Sequence, residues 1–306
     1  MSRRPLWLIT GANGFLGRNA GVWLSERAHV VGTARHADQH PAFTQILQLD
    51  ITDPRATTRV IRGVRPDVIL NTAAIASHEL CESDPTLAHR VNVEGAQNLA
   101  QSAAEIGARL IQVSTDAVFE GGTGGYLPDD SANPFSVYGR TKLLGEMAVL
   151  DAHPGAMVAR TNFFGWSPSG TRSILEFFVN ALTSGTPVDG FTDYIVSSIY
   201  AQDLMQVLWD LNERSVAGVV HAVARDAISK FAFGQLVAAV WDENPAMISA
   251  AVSTGTAGEV SRTRDLSLAT EATAALLGYE LPSQAEGVRQ AFADRLALRQ
   301  LVSDSH

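Results

Sequence analysis

Short apolar runs recur through the first half of the chain, and most of them are followed by a stretch that predicts a helix. The first of these runs has no alternation with a period of two, which is typical of a strand buried on both faces of a parallel sheet. The runs occupy residues 6–10, 29–34, 46–50, 67–71 and 109–114. Strands that alternate with helices in this way predict an α/β fold, a Rossmann-type doubly wound parallel sheet.

Capping and turn residues predict where the intervening segments begin and end. Asp84 with Pro85 predicts the start of a long helix that ends near Gly107. Further helix caps are predicted at Asp53, Ser229 and Ser283. The loop 117–134 contains G-G-T-G-G at 121–125, a composition that predicts a mobile tip.

After Thr161 the pattern becomes less regular, which predicts a second and smaller unit. The run 218–224 is expected to rejoin the main sheet. The predicted units are an NAD(P)-binding domain of residues 1–162 plus roughly 199–224, and a C-terminal substrate-binding lobe of residues 163–198 and 225–306. Near their junction, the polar candidates for substrate contact are Asn162, Arg172 and Tyr194.

The turn after the first apolar run has the spacing of a dinucleotide-binding turn, since residues 11–17 read G-A-N-G-F-L-G. Gly11 permits a tight turn, Gly14 leaves room for a pyrophosphate, and Gly17 lets the next helix lie close to the strand. Glycine-rich turns without a ligand are common, but the position between a strand and an amphipathic stretch favours binding. We therefore predict cofactor contacts from Gly11, Asn13, Gly14, Phe15, Leu16 and Gly17.

The residue after the second run bears on the choice of cofactor. An NAD site usually places an acid there, to bind the ribose hydroxyls. This chain has Arg35, which can bind a 2′-phosphate, with His36 as a helper. The sequence therefore favours NADP over NAD, the alternative being that Arg35 is an ordinary surface arginine.

Charge and cysteine content exclude several classes of function. The net charge of −9 argues against a nucleic-acid partner held by phosphate neutralisation. Cys81 is the only cysteine, which rules out an intrachain disulfide and favours a reducing compartment, the cytoplasm. No apolar run approaches the ~20 residues of a membrane span. His78, His89 and Cys81 lack metal-ligand spacing, so we expect no metal site.

Tyr138 and Lys142 open an apolar helical run that begins at Ser136. Residues four apart project from the same face of a helix, so a phenol and an ammonium lie close together. A nearby cation favours the phenolate and would bring the tyrosine closer to acid/base work near neutral pH. Taken alone, such a pair is more often an ordinary half-exposed one.

Together, the glycine turn, S-T-D at 114–116 and Y-G-R-T-K at 138–142 resemble the extended short-chain dehydrogenase/reductases. Within that family the chain is most similar to the dTDP-4-dehydrorhamnose reductase subgroup. The stretches that carry the likeness are V-S-T-D-A-V-F-E-G at 113–121, Y-L-P-D-D at 126–130, N-P-F-S-V-Y-G-R-T-K-L-L-G-E at 133–146 and R-T-R-D-L-S-L at 262–268.

The resemblance implies roles for individual residues. Tyr138 would donate a proton to a substrate carbonyl, and Thr115 would hydrogen-bond the carbonyl oxygen. Lys142 would hold the nicotinamide ribose and lower the tyrosine pKa. Asp116 would cap or orient its loop. The further cofactor contacts that it implies are Asp50 at the adenine amine, and Ile51, Ala73, Ala74, Ile75 and Ser114 along the cofactor channel.

The resemblance implies an NADPH-dependent reductase of a keto group on a nucleotide sugar or a related small substrate, and it allows a homodimer. Two departures concern the substrate. Ala117 and Phe163 stand where the rhamnose reductases have an aromatic hydroxyl and a tryptophan.

Three alternatives remain at this point. A dehydratase would carry an acid pair after the threonine, where this chain has Ala117, and an epimerase would favour an acid in place of Arg35. A non-catalytic NADP-binding regulatory subunit, similar to the β subunit of methionine adenosyltransferase, is the third.

Overall fold

A seven-stranded parallel sheet organises the chain in the computed structural model, which describes residues 3–253 and 264–303. The strands of the described residues, in this sheet and in three two-stranded ones, are β1 (Leu6–Thr10), β2 (His29–Ala34), β3 (Gln45–Gln48), β4 (Val68–Asn71), β5 (Arg109–Thr115), β6 (Met157–Thr161), β7 (Phe163–Phe164), β8 (Val188–Phe191), β9 (Ile195–Val196), β10 (Ile199–Tyr200), β11 (Gly218–His221), β12 (Ile228–Ser229) and β13 (Ile248–Ala251). The central sheet has the order β11-β6-β5-β4-β1-β2-β3. This order reverses direction between β1 and β4, as in a doubly wound sheet, so the predicted fold class is confirmed.

Helices cover both faces of the sheet. The helices of the described residues are α1 (Phe15–Ser25), α2 (Pro54–Val64), α3 (His78–Ser83), α4 (Pro85–His89), α5 (Ala96–Ile106), α6 (Val137–Ala152), α7 (Ile174–Thr183), α8 (Ala201–Glu213), α9 (Lys230–Trp241), α10 (Glu271–Leu277), α11 (Gln284–Asp294) and α12 (Ala297–Val302). Trp7 and Ile9 of β1 pack in the core with α1 and α8, while Leu8 packs on the opposite face with α2, α5 and α6. Alternate residues of one strand therefore anchor both helical layers.

The helix predicted from Asp84 to Gly107 is interrupted. Residues Arg90–Gly95 form a π-helical turn between α4 and α5. Within this turn, the Asn92 side chain accepts from Ile75 N at 2.8 Å and donates to Ile75 O at 3.1 Å. A wider turn of this kind often accompanies a side chain with a functional position. The local sequence could not reveal it, because the partner Ile75 lies in another segment.

A further core, rich in aromatic side chains, lies outside the central sheet. Trp166, Phe178 and Phe233 are among its buried residues, with contributions from α7, α9, α11 and α12. The strand β11 pairs with β6, which confirms that the chain returns to the main sheet. The polypeptide therefore leaves the central sheet after β6, returns to it at β11 and then leaves it again.

The loop predicted to have a mobile tip is tied down by hydrogen bonds. The Tyr126 hydroxyl oxygen accepts from Gly121 N and Gly122 N, each at 3.0 Å. Gly125 N donates to Ser267 Oγ at 2.8 Å. Ser267 belongs to the R-T-R-D-L-S-L stretch. The expected mobility rested on composition alone and is not supported by these contacts. Two residues of that stretch, Arg262 and Thr263, lie outside the described residues.

No helix in the described part of the chain is long and apolar enough to cross a membrane.

Candidate active site

The turn between β1 and α1 requires glycine at two of its positions. Gly11 has a φ of +69°, and a Cβ there would lie 3.0 Å from the Ala73 main chain. A Cβ on Gly17 would lie 2.2 Å from the carbonyl oxygen of Gly11. The backbones of β1, α1 and the segment after β4 therefore approach one another too closely for any side chain at these positions.

The N-terminus of α1 has no side-chain cap. Gly14 is the capping residue and offers no acceptor, whereas Asp53 caps α2 and Ser136 caps α6. Unpaired amides at a helix N-terminus, together with the helix dipole, favour an anion at that position. The start of α1 is therefore suited to a phosphate group.

A cavity of about 980 Å³ extends from this turn, past the carboxyl end of β5, to the lobe. The residues of the predicted site that line it are Gly14, Phe15, Leu16, Ala74, Ser114, Thr115, Tyr138 and Lys142. Those that do not line it are Gly11, Asn13, Gly17, Arg35, His36, Asp50, Ile51, Ala73 and Ile75. The structure thus brings the glycine turn and the three predicted catalytic residues into one cavity.

Some of the residues that do not line the cavity support the backbone of the glycine turn, and others lie at its periphery. Ala73 packs under Gly11, and Asn13 Nδ2 donates to His36 O at 2.9 Å, so both fix the backbone around the turn. Arg35 and His36 are exposed at the end of β2. Ile51 is buried in the core, and Asp50 is exposed beside it. Asp50 Oδ1 accepts from Thr52 N at 2.9 Å and from Thr52 Oγ1 at 2.8 Å.

Tyr138 lies in the first turn of α6, which Ser136 begins by accepting from Gly139 N at 3.1 Å. Burial raises the pKa of Tyr138, a hydrogen bond with Thr115 opposes the rise, and the carboxyl of Asp116 adds to it. The sequence led us to expect the opposite shift, a tyrosine pKa lowered by Lys142. That expectation is wrong for this structure, because removal from water dominates the phenol's environment.

Lys142 is buried one turn further along α6. Its Nζ donates to the main-chain oxygen of Val113 at 2.7 Å. Burial lowers the pKa of Lys142 to about 8, and the nearby Glu146 carboxylate opposes this shift. Below that pH the side chain carries its charge at the inner end of the cavity.

Thr115 is one end of a hydrogen-bonded chain that sequence reasoning did not anticipate. Its Oγ1 donates to Asp116 Oδ1 at 2.9 Å and accepts from Ala117 N at 3.1 Å. Asn162 Nδ2 donates to Asp116 Oδ2 at 2.7 Å, and Ser198 Oγ donates to Asn162 Oδ1. Burial raises the pKa of Asp116, while its bonds to Asn162 and Thr115 oppose that shift.

This chain of contacts bears on two predicted roles. Asn162, a predicted substrate contact, lines the cavity but holds Asp116. The Thr115 hydrogen is directed at Asp116, so Thr115 must reorient before it can donate to a ligand.

A buried ion pair supports the inner wall of the cavity. Arg160 and Glu146 lie 2.8 Å apart, with side chains 6% and 3% exposed. Ser114 donates to Glu146 Oε1, so this predicted cofactor contact also belongs to the ion-pair network. A charged pair so well buried is costly to break, because either partner alone would remain desolvated.

Two further residues near the site were missed by sequence reasoning. Asn92 holds Ile75 and also donates to Thr141 Oγ1 at 3.0 Å, so it joins the loop after β4 to α6. In the sequence, Asn92 is a single amide side chain within a helical run, which is only a weak indication of a functional position. His78 lines the cavity with its ring against that of Tyr138, although its sequence spacing indicated only a surface or packing residue.

Comparison with known proteins identifies the family. The chain is 38% identical over 232 residues to the dTDP-4-dehydrorhamnose reductase of Mycobacterium tuberculosis, covering 73% of this chain and 71% of that protein. It is 32% identical over 234 residues to methionine adenosyltransferase 2 subunit beta of Xenopus tropicalis, covering 73% and 68%. The crystal structure of dTDP-4-dehydrorhamnose reductase from Bacillus anthracis in complex with NADP has a TM-score of 0.84 and 24% identity, covering 95% of this chain and 99% of that one. The family model described as RmlD substrate binding domain matches residues 6–297, and the chain belongs to that family.

Proposed function

We propose that this protein is an NADPH-dependent reductase that acts on a keto group of a nucleotide sugar. The observation that carries the proposal is that Thr115, Tyr138 and Lys142 line the same cavity as the uncapped N-terminus of α1. A proton donor, a buried cation and a phosphate-binding turn are what a nicotinamide-dependent reduction of a carbonyl requires. The reductase relative from Mycobacterium tuberculosis and the NADP complex from Bacillus anthracis support this assignment.

The residues of the turn fit a dinucleotide. Gly14, Phe15 and Leu16 would receive the pyrophosphate at the start of α1, where no side chain occupies the helix amides. The exposed Arg35 would bind the 2′-phosphate of NADP. When bound, the reduced nicotinamide supplies the hydride for the reaction.

Three side chains of this protein would then act on the substrate carbonyl. Tyr138 is protonated at neutral pH, as a phenol with its ordinary pKa of about 10 already is, and burial moves the pKa further upward. This is the state that a proton donor in a reduction needs. The Lys142 ammonium stabilises the negative charge that develops at the oxygen and on the phenol. Thr115 lines the cavity beside the phenol and acts on its pKa, so it is placed to orient the hydroxyl.

The lobe would hold the rest of the substrate. Its side of the cavity combines aromatic and cationic side chains, namely Phe163, Phe177, Phe178, Phe191, Tyr194, Arg172 and Lys230. Aromatic rings can stack on a base, and cations can pair with a diphosphate. This supports the division into an NAD(P)-binding domain, residues 1–162 plus 199–224, and a substrate-binding lobe. Ala117 leaves the cavity wider than a residue with an aromatic hydroxyl would, so the sugar could differ from 4-dehydrorhamnose.

A regulatory subunit is the second candidate function. The similarity to methionine adenosyltransferase 2 subunit beta favours it, since that protein is named as a subunit of another enzyme. The reductase and the regulatory subunit differ in whether Tyr138 transfers a proton to a substrate. A dehydratase or an epimerase is less well supported, because Ala117 and Arg35 stand where an acid would be expected. Cytoplasmic location and a homodimer stay predictions.

The direct test is oxidation of NADPH by the purified protein with a panel of dTDP- and UDP-linked keto sugars. We expect turnover with at least one 4-keto sugar nucleotide, and tighter binding of NADPH than of NADH by calorimetry. NADPH binding without turnover on any member of the panel would favour the regulatory subunit. Failure to bind either nucleotide would contradict both readings.

A further inference from the structure

The imidazole ring of His78 packs against the phenol ring of Tyr138. The two ring centroids lie 4.8 Å apart, and the ring planes are inclined at 52°. Both side chains line the cavity, so the contact lies beside the phenol that a substrate carbonyl would have to meet. His78 therefore lies directly beside the residue that would donate the proton.

The helix that carries His78 is fixed at its first turn. Ser77 caps α3 by accepting from Leu80 N at 3.1 Å, and its hydroxyl donates to Glu79 Oε2 at 2.9 Å. Cys81, one turn after His78, is fully buried and donates to Ile75 O at 3.5 Å. These contacts hold the start of α3 against the loop after β4, so the position of His78 is determined by the fold.

The same helix also holds the main chain beside the catalytic tyrosine. Glu82 Oε1 accepts from Val137 N at 2.8 Å, and Val137 is the residue before Tyr138. His78 therefore contacts the ring of Tyr138, while Glu82 fixes the backbone from which that ring extends. The short helix α3 therefore contacts both the ring of Tyr138 and the main chain beside it.

The phenol needs such support because it borders an open cavity. Thr115 contacts its hydroxyl end, but a tyrosine ring can still rotate about two side-chain torsions. Proton transfer demands close placement of the donor, and a displacement of about 1 Å can cost roughly 10²-fold in rate. Rings packed in tilted contact restrict one another's rotation.

We propose that His78 is a positioning residue, whose ring fixes the orientation from which Tyr138 donates its proton. The proposal rests on the proposed reductase function. It requires the ring contact and not the ionisation of the imidazole. The ionisable groups around the pair are Glu79, Cys81 and Glu82 on α3, Tyr138 and Lys142 on α6, and Asp116 after β5. The pH profile of each variant is therefore part of the test.

Two substitutions of His78 separate the effect of the ring contact from the effect of imidazole ionisation. His78→Ala removes the contact and should lower kcat about tenfold or more, with KM for NADPH and for the sugar nucleotide changed by less than about twofold. His78→Phe retains a ring and should restore most of kcat, with the same pH profile as the unmutated protein. His89→Ala removes an exposed histidine from the neighbouring helix α4 and is the matched control.

Three kinetic outcomes would overturn the proposal. A kcat for His78→Ala within twofold of the unmutated value would mean that the contact has no role. A loss confined to KM would make His78 a substrate contact. A His78→Phe variant as slow as His78→Ala, with an altered pH profile, would assign the effect to imidazole proton transfer.

A readout without substrate keeps this test separate from the proposed function. The chain has five tyrosines, so ¹⁹F NMR of the protein labelled with 3-fluorotyrosine gives few resonances, and Tyr138→Phe assigns the one of interest. His78→Ala should shift or broaden the Tyr138 resonance more than the other four. An unchanged resonance would overturn the proposal, whether or not the protein reduces any sugar tested. Turnover failing while this shift is observed would count against the reductase alone.

Discussion

The ammonium of Lys142 donates a hydrogen bond to the main-chain oxygen of Val113, 2.7 Å away in β5. Burial at this position lowers the pKa of Lys142 to about 8, against the opposing effect of Glu146. Because a lysine is charged only below its pKa, we expect kcat/KM for NADPH to fall as the pH rises through about 8. This parameter reports ionisations of the free enzyme.

Lys142→Arg tests that assignment. A guanidinium stays protonated throughout the accessible range, so the fall near pH 8 should disappear even though the absolute rate is lower. Steady-state rates between pH 6 and pH 10 are sufficient. An unchanged fall near pH 8 in Lys142→Arg would mean that another group titrates there.

Arg35 is expected to decide the preference between the two cofactors. It is exposed at the end of β2, where an acid would favour NAD. NADPH should bind more tightly than NADH, and Arg35→Ala should narrow the difference by about 1 to 3 kcal/mol, the contribution of a charged hydrogen bond. Calorimetry measures both dissociation constants.

The control is Arg59→Ala, which removes an exposed arginine from α2. Equal dissociation constants for NADPH and NADH in the unmutated protein would contradict the role of Arg35.

Gly14 is expected to leave space for the pyrophosphate. Its φ of −79° is open to any residue, and a Cβ there would meet only the Gly11 oxygen, at 3.0 Å. Gly14→Val should fold with a Tm lowered only modestly, since the contact is relieved by a shift of a few tenths of an ångström, yet it should lose nucleotide binding because its methyl groups occupy the start of α1. Gly63→Val, at a helix position with open space around it, is the matched control. Nucleotide affinity that survived Gly14→Val would mean that the turn is structural only.

Much of the fold could be predicted because its determinants are local. Buried parallel strands have no apolar alternation, and the Asp53 cap needs only the backbone of its own helix, as do Ser229 and Ser283. The glycine turn and the Tyr138–Lys142 pair were likewise readable from spacing within a few residues. Since parallel strands carry their loops to one edge, the meeting of these motifs followed from the fold class.

What could not be predicted depends on contacts between distant segments. The π-helical turn at Asn92 reflects bonds to Ile75 and Thr141, and no local pattern specifies those partners. The contact between Asp116 and Asn162 joins the ends of two strands. The direction of the Tyr138 pKa shift was wrong because a sequence indicates which charges are near, whereas burial is set by the whole fold.

Tyr138 is the residue on which the proposed function depends most. Tyr138→Phe keeps the ring and its contact with His78, so the Tm should hardly change. Loss of the hydroxyl removes general acid assistance, which is typically worth ~10²- to 10⁴-fold in rate. Tyr279→Phe removes a hydroxyl outside the cavity and should leave turnover unaltered.

The most direct measurement is therefore kcat for NADPH oxidation by Tyr138→Phe, on a sugar nucleotide that the unmutated protein reduces. A fall of at least about 10²-fold, with the NADPH dissociation constant nearly unchanged, is the predicted result. Turnover within a few-fold of the unmutated protein would contradict the account and leave Tyr138 as a structural residue of a nucleotide-binding subunit.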